Sequence, residues 1–203
     1  MDSSANPVRM LQQEVHRLRT ENQELKDELS VLRTSMRGLV ALQDVINRLT
    51  PETDVLVLLD DVLASALAAV GTGDGSLLLV DEETDELVFA VVHGSARDKL
   101  TGFRLALGEG IAGWVAENRQ PAVIDDVRSD SRFSARVDET FSFQTRSMAA
   151  VPLLDGDRVL GVIEAVNKNH DRPFSRQDQN LLEVVAQLAA IAIRRAESFT
   201  VAE

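Results

Sequence analysis

The chain has 203 residues, 44% of them hydrophobic, which is enough for one proper core and an appendage. It contains no cysteine, and this rules out disulfides, thiolate metal sites and cysteine nucleophiles. The 26 acids and 14 bases of residues 51–203 account for the whole net charge of −12, and so acidic a body repels nucleic acid and anionic membrane, neither of which is expected as a partner.

The opening residues MDSSANPVRM have neither the charged start nor the apolar run of a secretory signal. No stretch approaches the roughly 18 apolar residues of a membrane span, so the chain reads as soluble and cytoplasmic. Residues 1–7 read as a disordered start. From there Leu11, Leu18, Leu25, Leu32 and Leu39 recur every seven positions. With these at heptad position d, Val8, Val15, Asn22, Leu29 and Met36 fall at position a.

A single amphipathic helix packed on the core is the plain alternative, and two details favour a coiled coil instead. Asn22 interrupts an apolar seam, a device that fixes register and orientation in two-stranded coils. Glu14, Glu21 and Glu28 at g face Arg19, Lys26 and Arg33 at e, the opposite-sign pattern a parallel homodimer requires. Residues 8–39 are therefore predicted to form a parallel dimeric coiled coil, with Leu11, Leu18, Asn22, Leu25, Leu32 and Leu39 as its dimerisation residues. Leu42, Ile46 and Leu49 continue the seam after a three-residue displacement, a stammer. Thr50 then reads as the N-cap, and Pro51 as the first residue, of a new helix.

Residues 52–70 have helical apolar spacing, ended by Gly71, Gly73 and Gly75. SLLLVD (76–81) and ELVFAVVHG (86–94) read as strands joined by the polar connection EETD, and FRLAL as a short third strand. Gly108–Gly113 opens a helix that runs to about Asn118, and PAVID (121–125) is a further short strand. Residues 127–145 are polar and irregular, a helix or a lid. SMAAVPLL and RVLGVIEAVNK form the last hairpin, turning at Asp155-Gly156-Asp157. Ser175, with Asp178 completing a capping box, starts a final helix to about Ser198. The predicted fold is α/β (α+β), an antiparallel central sheet flanked by helices.

SLLLVD, GEGIAGWVAENRQPAVIDDV, SDSRFSARVD, TRSMAAVPL and the terminal Asn167-Lys168…Phe174…Asp178 together resemble the GAF family of small sensor domains. The resemblance covers residues 40–196, places the domain at 40–198 and leaves 199–203 as a tail. It implies that Lys168 and Asp178 pair to hold the last strand against the last helix, with Asn167 and Phe174 in the same structural motif. Nucleotide-binding members carry a similar motif ending Asp-Glu, where this chain has Gln179.

In those members the ligand lies between sheet and lid, with its phosphate near a helix N-terminus. The resemblance implies a site made of Ser76, Gly110, Ile111, Ala112, Asp126, Phe133, Phe143 and Thr145. Its candidate ligand is cAMP or cGMP, with no covalent cofactor and no metal. Phe141 and Ser142 stand where such sequences often read Thr-Gly, and losing a Gly removes easy access to positive φ. GAF relatives that reduce methionine sulfoxide or attach bilins need cysteines, so no enzyme activity is expected. Trp114 reads as core and none of the three histidines as part of a site. Two functions stay open: a dimeric sensor signalling in trans through an unidentified partner protein, or a dimerisation and protein-interaction module with a vestigial pocket.

Overall fold

The computed structural model describes residues 9–23, 25–26 and 54–200. The chain divides into two units, Met1–Val40 and Ala41–Glu203. In the first, residues 9–23 and 25–26 are helical (α1), and Leu11, Val15, Leu18 and Leu25 are exposed along it. Asn22 is exposed as well. Arg17 pairs within the helix with Glu14 at 2.7 Å. Leu32, Leu39, the displaced seam, Thr50 and Pro51 lie outside the described residues.

The globular unit starts with helix α2, Val55–Val70. Its N-cap is Asp54, not Thr50. The Asp54 backbone is extended, and its carboxylate accepts from Leu56 N at 2.9 Å and Val57 N at 3.4 Å. Gly71, at φ +82°, ends it in the left-handed conformation that a residue without Cβ adopts easily. Gly75, expected in the same turn, already belongs to the first strand.

The sheet has six strands: β1 Asp74–Asp81, β2 Glu86–His93, β3 Arg104–Ala106, β4 Ala122–Ile124, β5 Met148–Asp155 and β6 Arg158–Val166. They lie in the order β3-β2-β1-β6-β5-β4, and every pairing is antiparallel. β1 and β6 are the central pair, and β4 pairs with β5 only as far as Ala150. Beyond that point β5 is an edge, and there Pro152, which has no N–H to donate, is tolerated.

Alternation along the strands sorts side chains onto two faces. Leu77, Ile163, Ala165 and Val151 pack beneath α2 and the long last helix, α6, Arg176–Thr200. Leu78, Val162, Val166 and Ala150 face the other way, against α4, Gly110–Asn118, and the loops around it. That second layer includes the short helices α3, Arg97–Leu100, and α5, Arg136–Phe141. The irregular stretch after β4 resolves into a 3-10 turn at Val127–Ser129 followed by α5. Trp114 is only partly buried in this layer, with Arg132 stacked 4.3 Å from its ring centre.

Where the last strand meets the last helix, four motif residues act together. Asn167, at φ +54°, turns the chain out of β6. Its side chain accepts from Arg146 N at 2.8 Å and donates to Gln144 O at 2.8 Å. Lys168 pairs with Asp178, and its ammonium lies 5.7 Å from the ring centre of the buried Phe174. Asp178 and Ser175 exchange the bonds of a capping box: Ser175 N donates to Asp178 Oδ2 at 2.6 Å and Asp178 N to Ser175 Oγ at 3.2 Å. No helix among the described residues is long and apolar enough to cross a membrane.

Candidate functional site

The face of the sheet opposite α2 and α6 is not packed solid. Between β1, β6, the start of α4 and α5 lies a pocket of about 750 Å³, its open mouth included. The enclosed part of it is only about 70 Å³, below the roughly 300–1,000 Å³ of small-molecule sites, so a ligand of nucleotide size needs the α5 segment to move outward. Phe89, Val92, Leu100, Leu105, Met148 and Val166 line it from the core side.

One wall is the first turn of α4, contributed by Gly110, Ile111 and Ala112. The residue ahead of the helix, Glu109, provides no side-chain cap. The first-turn N–H groups, which no helix can satisfy internally, are therefore available to a polar guest, and the helix dipole favours an anion there. The tight approach depends on Gly113: a Cβ at that position would sit 2.9 Å from the Gly108 backbone. Glu109, at the mouth of the pocket, holds Arg136 at 2.9 and 3.0 Å, tying the α5 segment to the start of α4.

The α5 segment forms the roof. Phe133, Val137, Phe141 and Phe143 point into the cavity lining. Ser142, in the position where Gly was missed, nonetheless adopts φ +54° and ends α5. A serine can occupy this left-handed region at a cost of roughly 1–2 kcal/mol, and the closed roof needs no glycine there. Asp138 Oδ2 accepts from Thr145 N at 2.9 Å and Asp138 Oδ1 from Thr145 Oγ1 at 2.7 Å, locking the loop after the helix.

Four polar side chains reach the buried floor: Ser76, Asp138, Thr145 and Glu164, with exposures of 3%, 6%, 6% and 8%. Ser76 of β1 lies directly opposite Glu164 of β6. Burial pushes the Glu164 carboxyl up, the Ser76 hydroxyl bonded to it acts the other way, and the charge of Asp138 adds to the rise, leaving it at about 7. Asp74, His93, Glu109 and Ser134 complete the polar lining, and no lysine or arginine among the described residues belongs to it.

The structure thus brings together Ser76, Gly110, Ile111, Ala112, Phe133, Phe143 and Thr145. It does not bring in Asp126. That residue is exposed, and its carboxylate caps the 3-10 turn by accepting from Arg128 N at 3.1 Å. The buried acids that face the cavity are Asp138 and Glu164, with Asp74 and Glu109 nearer its mouth. Glu164 had a signal in the sequence: it is the one charged residue inside the strand GVIEAV, two positions from both Val162 and Val166 on the pocket face.

His93 also lines the pocket, its Nε2 lying 3.2 Å from Asp60 Oδ1 but making no hydrogen bond. Among the described residues no group of histidines and acids is arranged to hold a metal.

Comparison with known proteins agrees with this architecture. The probable 3',5'-cyclic phosphodiesterase pde-5 of Caenorhabditis elegans is 31% identical over 130 residues, covering 64% of this chain and 16% of that protein. The cone cGMP-specific 3',5'-cyclic phosphodiesterase subunit alpha' of Mus musculus is 38% identical over 85 residues, 42% of this chain and 10% of that protein. The chain therefore spans only a small part of these relatives. The solved GAF domain of a phosphoenolpyruvate-protein phosphotransferase (ptsP) from Coxiella burnetii superposes with a TM-score of 0.69 at 20% identity, covering 82% of this chain and 98% of that one. The GAF domain family model matches residues 54–193, and the chain belongs to that family.

Proposed function

We propose that this chain is a regulatory sensor whose GAF domain binds a cyclic nucleotide, cGMP or cAMP, in the pocket between the sheet and α5. The observation that carries the reading is the combination in one cavity of an uncapped helix N-terminus and buried polar side chains. The first turn of α4 provides donors for a phosphate. Ser76, Thr145, Asp138 and Glu164 provide donors and acceptors for a base and sugar. The likeness to cyclic-nucleotide phosphodiesterases supports the ligand class. The absence of cysteine removes thiol chemistry from the possibilities, and we read the domain as regulatory rather than catalytic.

Binding works as a signal only if the ligand favours one arrangement of the chain over another. Closure of α5 over the ligand is the first such change. Its effect reaches a partner protein through α2, α6 and a parallel pairing of two chains along the Leu11, Leu18 and Leu25 stripe. Sedimentation equilibrium checks the pairing: a mass of two 22.2 kDa chains supports it and a single-chain mass contradicts it.

A thermal melt with and without millimolar cAMP or cGMP tests the ligand. At about 100 times its dissociation constant a ligand adds about 2.7 kcal/mol. For a chain of this size that raises the midpoint by roughly 5–10 °C. A nucleotide-specific rise supports the reading, and no rise with either nucleotide points to an interaction module instead.

A further inference from the structure

The pocket floor holds two buried carboxyl groups and no cation. Glu164 and Asp138 both line the cavity, and the nearby Asp138 carboxyl adds to the rise that burial gives Glu164. The groups that face Glu164 can be followed element by element. β1 offers Ser76 opposite it and Asp74 further along the lining. β2 contributes His93, and the start of α4 contributes Glu109, already paired with Arg136. From α5 comes Asp138, whose oxygens serve Thr145, with the Arg128 guanidinium at 3.9 Å. β5 lies alongside through Ala150, which carries no charge. Arg136 is engaged with Glu109, and Arg128 approaches Asp138 only to 3.9 Å from outside the cavity; neither lines the pocket.

A cyclic nucleotide carries one permanent negative charge that does not titrate near neutrality. Placing it in this low-dielectric cavity adds a third negative charge beside two carboxylates, and like charges so close disfavour ionisation. We propose that the pocket takes up one proton on Glu164 together with its anionic ligand, so that ligand affinity is set by pH. The inference rests on the cyclic-nucleotide reading above. The neutral carboxyl of Glu164 then exchanges hydrogen bonds with Ser76 and the ligand rather than repelling the ligand's charge.

The free pocket already stands near the changeover, since burial and Asp138 hold Glu164 at about 7. By linkage, affinity is greatest below that value and falls as pH rises above it. The limiting fall is about tenfold per pH unit for a single coupled proton.

Calorimetric titration of the full chain with cGMP and with cAMP, at pH 6, 7 and 8, tests the proposal. Two buffers of different ionisation heat count the protons. The expected result is net proton uptake near pH 7 and affinity about tenfold weaker at pH 8 than at pH 6. Glu164→Gln should bind with no such slope and no proton uptake. A pH-independent wild type, proton release on binding, or a slope that survives in Glu164→Gln overturns the proposal while leaving the ligand reading intact. Failure of both nucleotides to bind at any pH overturns the ligand reading and this proposal with it. Because proton counting needs only the wild-type protein, the proposal remains falsifiable even if the variant folds poorly.

Discussion

Asp178→Ala lowers the unfolding free energy by about 3 kcal/mol, enough to drop the melting midpoint by roughly 10 °C. Three interactions end on this one carboxylate. Lys168 pairs with it, the Ser175 N–H donates to it at 2.6 Å, and the Ser175 hydroxyl donates at 2.8 Å. Burial alone would raise the carboxyl, but Lys168 and Ser175 outweigh that and hold it below the usual aspartate value.

Truncation leaves Lys168, half-enclosed against Phe174, with its charge unpaired, and that is the larger part of the loss. It also leaves the first turn of α6 with a weaker cap. Asp178→Asn keeps an acceptor for Ser175 N without the charge, and should lose about half as much. A depressed carboxyl contributes stability above its unfolded value and loses it as pH falls through the folded value. The gap between wild type and Asp178→Ala therefore narrows in strong acid. Chemical denaturation at neutral and acidic pH checks both points, and equal stability at neutral pH would mean that the Lys168–Asp178 pair holds nothing.

Glu164→Gln has the opposite sign. It stabilises the protein by about 3 kcal/mol at pH 8. Burial holds the folded carboxyl at about 7 against a reference of 4.5, so the native state binds this proton more tightly than the unfolded chain does. Stability from this group is full below the reference value, declines as pH rises towards 7 and levels off beyond it. Glutamine has nearly the shape of the neutral acid and removes the penalty of a buried charge.

The variant and the wild type should therefore melt together near pH 4.5 and separate progressively up to pH 8. Melting curves across that range decide the matter. A constant difference, or a less stable variant at pH 8, would show that Glu164 is not held in an unfavourable charged state.

Most of the scaffold was legible in the residues themselves. Apolar runs bounded by turn residues located the strands, including β5 and β6 on either side of Asp155-Gly156-Asp157, and the Ser175–Asp178 box marked the start of α6. The Gly-rich approach to α4 was readable because Gly113 must lie against the Gly108 backbone. Boundaries set by local competition were less legible: Asp54 caps α2 because its own carboxylate reaches two N–H groups, whereas spacing alone pointed to Thr50.

In the site the error followed one residue. Asp126 sits next to the right strand but is drawn off by the N–H of Arg128. Asp138 reaches the cavity because α5 folds over it: residues 127–145 read as a helix or a lid, but nothing in DSRFSARVDETF says which of its acids turns inward. The positive φ of Ser142 was hidden for the same reason, since the surrounding contacts, not the residue's own preference, decide it.

Backbone amide spectra of the labelled protein, recorded as cGMP and then cAMP is added to millimolar concentration, locate the binding site residue by residue. Saturable shifts should concentrate at Gly110, Ile111 and Ala112 of α4, through residues 133–145 of the roof, and at Ser76 and Glu164. Saturable shifts confined to the α2 and α6 face, or spectra unchanged by either nucleotide, would contradict the assignment of this pocket as a cyclic-nucleotide site.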